Sequence, residues 1–60
     1  MVYDEFKKLK IGDECVIIQT GELGRVIEIN RKTSDVYVRA KRVGMDIVKQ
    51  WFNYTYLARI

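Results

Sequence analysis

The chain has 60 residues, 11 Lys and Arg against 8 Asp and Glu, a net charge of +3, 48% hydrophobic residues, and neither His nor Pro. A chain this short removes only about 60% of its unfolded surface from water, which leaves one thin core and little space for a deep catalytic cleft. Without His it lacks the commonest general base and metal ligand, and its apolar content is too high for disorder.

Residues 2–10 read as a short helix or arm. Val2, Phe6 and Leu9 fall on one helical face, Asp4 and Glu5 come early, and Lys7, Lys8 and Lys10 come late, an order that complements the helix dipole. Gly12 is expected to end this element, and Gly12-Asp13 reads as a turn. From there the signals are strand and turn. The β-branched run Cys15–Gln19 is the first strand, and Thr20 to Gly24 a tight connection with two glycines. Arg25–Asn30 is the second strand, followed by a polar loop. Val26 and Ile29 lie three apart, so both reach the core only if this strand bends or bulges.

Val36–Lys41 is the third strand, with Val36, Val38 and Ala40 on one face and Tyr37, Arg39 and Lys41 on the other. Arg42-Val43-Gly44 turns the chain, with Gly44 in a left-handed conformation, into a fourth strand, Met45–Phe52. That strand has no clean phase: Val48 and Phe52 inward bring Gln50 inward, and Ile47 and Trp51 inward do the same to Lys49. Asn53–Leu57 reads as a 3-10 turn and Ala58–Ile60 as a last strand. Strands at this spacing predict a mainly β fold: one domain over residues 1–60, a small five-stranded antiparallel barrel with a short N-terminal helix and a C-terminal 3-10 turn.

The run Gly12-Asp13-Glu14-Cys15-Val16-Ile17-Ile18, followed by Gly21-Glu22-Leu23-Gly24-Arg25-Val26-Ile27-Glu28-Ile29, resembles a KOW motif, with its Gly-Asp turn, apolar strand, G-x-x-G-x-V and second strand. The resemblance implies an SH3-like barrel in which Gly21 and Gly24 reverse the chain with positive φ. It further implies contact with RNA or protein of the transcription and translation machinery. Val2-Tyr3-Asp4 and Asn53-Tyr54 also resemble parts of peptide-binding SH3 domains, but the tandem tryptophans and the groove proline of that family are missing.

Charge is uneven. Residues 1–30 carry four cations against six anions, and residues 31–60 seven against two. Arg31, Lys32, Arg39, Lys41 and Arg42 with Tyr37 are the candidate nucleic-acid-binding residues: cations meet phosphates and rings stack on bases of RNA or DNA. The same pattern also fits a solvated face whose charges only maintain solubility. The alternative function is a protein-binding adaptor or small inhibitor that anchors an acidic partner through Trp51, Tyr54 and Tyr56, unless those rings fill the core, as Phe52 and Leu57 are expected to.

No catalytic set is expected. Ser34 has no His to activate it, no carboxylate pair has a defining spacing, and Gly21 and Gly24 are followed by neither Lys-Ser/Thr nor a helix. No metal or cofactor is expected either. The lone Cys15, in an apolar run, reads as a buried thiol. The longest apolar run is far short of a membrane span and no N-terminal pattern reads as a signal peptide; the lone buried Cys fits a reducing, cytoplasmic setting, and a monomer or small homo-oligomer is expected.

Overall fold

A computed structural model describes residues 1–41 and 47–60. Helix α1 spans Tyr3–Lys8, strand β1 Glu14–Ile17, β2 Leu23–Asn30, β3 Asp35–Lys41, β4 Ile47–Asn53, a 3-10 turn Tyr54–Tyr56, and β5 Leu57–Arg59. Gly44 and the expected start of the fourth strand at Met45 lie outside the described residues.

All neighbouring strands are antiparallel, in the order β4-β3-β2-β1-β5. The fold is therefore mainly β, as expected, but the sheet is not closed into a barrel. Strands β4 and β5 end its two sides, and among the described residues no ladder joins them. With only three residues, β5 can pair along β1 but supplies little strand for closure.

The sheet has one apolar face. Cys15, Ile17, Val26, Val36, Val38, Ala40 and Leu57 bury there, and Phe6 and Leu9 from the N-terminal segment complete the cluster. Helix α1 starts with the N–H groups of Glu5 and Phe6 donating to the Val2 carbonyl, while the Glu5 carboxylate accepts from the Val2 N–H at 3.1 Å. Val2, expected on the apolar face, is instead the extended N-cap and is exposed. The helix also stops before Gly12. Leu9 is already extended, a backbone that aims its side chain into the core, and Gly12, at φ +97°, serves the turn into β1.

The bend expected in the second strand is present. The β2–β3 register shifts between Val26 and Glu28, with Ile27 the extra residue. Val26 is therefore fully buried and Ile29 still packs against the core. The glycine pair behaves differently from expectation. Gly21 has φ +74° in the β1–β2 turn, but Gly24 lies inside β2 with no positive φ. Its role is steric: a Cβ at Gly24 would overlap Cγ1 of Val38, a buried β-branched side chain that cannot swing aside.

Strand β4 resolves its ambiguous phase through pairing. Phe52 opposes Val36, Gln50 opposes Val38 and Val48 opposes Ala40, so these three lie on the core side. Gln50 remains solvated because β4 is the sheet edge. Among the described residues no helix is long and apolar enough to cross a membrane.

Gly24→Ala is expected to cost about 1–3 kcal/mol through overpacking, measured by urea unfolding, and Gly24→Ala combined with Val38→Ala to cost less than the sum of the two single changes. Burial raises the Cys15 thiol above its ordinary pKa of 9.0. The native state therefore holds a proton that the unfolded state releases, so this contribution to stability is intact below pH 9.0 and falls as pH rises above it. In unfolding titrations the alkaline decline should be shallower for Cys15→Ala than for the parent.

Candidate functional site

The outer face of the sheet is built by the residues that alternate with the core positions. On β3 these are Tyr37, Arg39 and Lys41, all of which the sequence singles out. Register sets their neighbours. Arg39 lies directly opposite Arg25 of β2 on one side and Lys49 of β4 on the other. Strand spacing of about 4.8 Å makes Arg25–Arg39–Lys49 a cationic row about 10 Å long across three strands. Glu14 of β1 continues the row beyond Arg25, its carboxylate 3.9 Å from the guanidinium, in an exposed pair of small energetic weight. Lys41 flanks the row, and Arg25, Arg39 and Lys41 share a shallow depression with Glu14 and Leu23.

Aromatic rings border this row. Tyr37 opposes Trp51, and their centroids lie 4.9 Å apart at 39°. Trp51 is 43% exposed, so part of its indole remains open to a ligand. On the other side of Tyr37 the bulge brings Glu28 into register, which puts an anion at this border of the face.

Like charges directly opposite on neighbouring strands destabilise a sheet, by about 0.2–1 kcal/mol per pair. The outer face holds two such pairs, Arg25–Arg39 and Arg39–Lys49, and of these cations Arg25 has a carboxylate, that of Glu14, within 4 Å. An anion laid across the row would relieve both.

The remaining candidates lie elsewhere. Arg31 is in the β2–β3 turn, and its guanidinium donates to the carbonyls of Phe6 and Leu9 at 2.6 and 2.7 Å, with its centre 5.1 Å from the Phe6 ring centroid. It is engaged with the end of α1 and stands apart from the β3 face. Lys32, in the same turn, is exposed at the end of β3 opposite Lys41. Arg42 lies outside the described residues.

The three rings of the protein-binding alternative do not form one patch. Tyr54 is half-buried, stacked on Phe6 at 4.9 Å and edge-on to Tyr3. Tyr56 and Trp51 border a depression beside β4 together with Ile18 and Gln19. Phe52 packs on the core in part and Leu57 completely.

Arg25 and Lys49 are the residues that sequence reasoning missed. Arg25 falls in the acidic half of the chain, and Lys49 on a strand whose phase was ambiguous. The available signal was Arg25 alternating with Gly24 and Val26; the partner across the strand cannot be read without the register. The chain matches no family model, no curated protein and no solved structure.

Arg31→Ala should lower unfolding free energy by about 1–2 kcal/mol, because two charge-assisted bonds to helix carbonyls are lost. Arg31→Lys should recover only part of it, since an ammonium cannot fork between two oxygens. Urea titrations of both variants check this.

Proposed function

We propose that the outer face of the sheet is a non-enzymatic binding surface for single-stranded nucleic acid. The observation that carries the reading is the cross-strand row Arg25–Arg39–Lys49 beside the Tyr37–Trp51 ring pair. Cations aligned across strands follow a phosphate backbone, and an adjoining half-open ring pair accepts bases on its faces. A duplex hides its base faces and would use the cations alone, so single strands fit the combination better. The resemblance of residues 12–29 to a KOW motif, which implies contact with RNA or protein of the transcription and translation machinery, includes this class of ligand.

A protein partner is the weaker reading. It needs Trp51, Tyr54 and Tyr56 together, whereas Tyr54 is packed against Phe6. Contiguous cations beside exposed rings favour nucleic acid over an apolar anchor surface.

Fluorescence anisotropy with short single-stranded RNA and DNA oligonucleotides tests the proposal. With three to four cations engaged, log K against log salt should fall with a slope of about −2 to −3. Arg39→Glu with Lys41→Glu should abolish binding while leaving the fold intact, since both side chains are exposed. Trp51→Ala should weaken binding about 5- to 100-fold by removing one stacking face. A flat salt response, or no binding at low salt, overturns the reading. Loss of the fold in Trp51→Ala would assign that ring to stability.

A further inference from the structure

The sheet has one long free edge. Strand β5, at one side, has three residues; β4, at the other, has seven and pairs only with β3 among the described residues. An unpaired edge is a template for another strand, and proteins blunt it with Pro, bulges, short length or charge. The described part of β4 has no Pro and no register shift against β3, and one charged residue, Lys49.

The sequence of β4 is self-complementary about Gln50. In an antiparallel pair of two β4 strands with Gln50 opposite its own copy, Val48 of one faces Phe52 of the other, and Lys49 faces Trp51. These three central pairings are favourable, and the outermost sets Ile47 against Asn53 at the ends of the ladder. The half-buried Val48 and Phe52 cover each other and extend the core side of the sheet. Lys49 gains an indole as a cation–π partner. Two Gln side chains on the axis can exchange amide hydrogen bonds. Neighbouring registers are worse: centring on Lys49 sets cation against cation, and centring on Trp51 sets Gln50 against Phe52. The single charge thus permits one register and penalises the next.

We infer that β4 pairs edge to edge with β4 of a second copy of this chain, antiparallel, about a two-fold axis through Gln50. The contact is isologous and closes on itself. It joins two five-stranded sheets into one and makes their outer cationic faces continuous, but it rests on the β4 pattern and not on the nucleic-acid reading. A seven-residue ladder is smaller than the about 1,200–2,000 Å² of a permanent interface, so the dimer is reversible and grows with concentration.

Sedimentation equilibrium of the intact chain should show the mass rising from monomer toward dimer between about 10 μM and 1 mM. Gln50→Lys and Gln50→Glu, each placing like charges on the axis, should both remain monomeric, and their equimolar mixture should recover the dimer. Gln50 is exposed, so neither change removes a core contact, and circular dichroism checks the fold. Independently, Gln50→Cys should form a covalent dimer on air oxidation, because paired antiparallel residues have Cα atoms about 4.5–5.5 Å apart, within disulfide reach. Lys49→Cys, off the axis, should not cross-link, and the buried Cys15 does not compete. A parent chain monomeric throughout this range, single variants that dimerise like the parent, or a mixture that stays monomeric would each overturn the inference.

Discussion

A sheet with one apolar face and an open side must have that face covered, and in this chain the cover comes from the first nine residues. Phe6 and Leu9 bury in one cluster with Cys15, Val26, Val36 and Val38, and Tyr54 stacks on Phe6 from the 3-10 turn. A two-turn helix has no stability of its own in water, so α1 exists because it docks. Arg31 holds the docked end by taking the Phe6 and Leu9 carbonyls, and the Met1 amine donates to the carbonyls of Tyr54 and Leu57. The apolar face is thereby covered, and the residues that alternate with it on the strands face outward.

The β2–β3 ladder translates this constraint into a surface. Gly24 lets the backbones meet where Val38 fills the space a side chain would take, and the extra residue Ile27 lets Val26 and Ile29 both serve the core. Each device fixes which residues of β2 and β3 point outward. Arg25 faces Arg39 because Gly24 faces Ala40 and Val26 faces Val38. The cationic row is a consequence of core packing on the opposite side of the same strands.

The exposed rings have separate environments for the same reason. Trp51 is on the outer side of β4 and joins Tyr37; Tyr54, three residues on and past the end of the strand, turns back toward α1. Residues close in sequence thus end in different places, because the chain changes from a two-residue to a three-residue repeat at Asn53, whose side chain caps the turn by accepting from the Thr55 N–H.

Among the described residues, sequence alone was sufficient for the number and order of the strands and for the 3-10 turn, because period-two alternation, β-branched runs and polar turn clusters are local signals. It also determined the solvated side of β3, with Tyr37, Arg39 and Lys41, and the need for a bulge between Val26 and Ile29, which follows from counting residues between two that must be buried. Only the tertiary structure decided the rest. The open sheet, the steric role of Gly24, the engagement of Arg31 with α1, the phase of β4 and the meeting of Arg25 with Arg39 and Lys49 depend on which strand lies beside which and in what register. Register is set by the summed packing of side chains from distant segments, and no window of neighbouring residues contains that information.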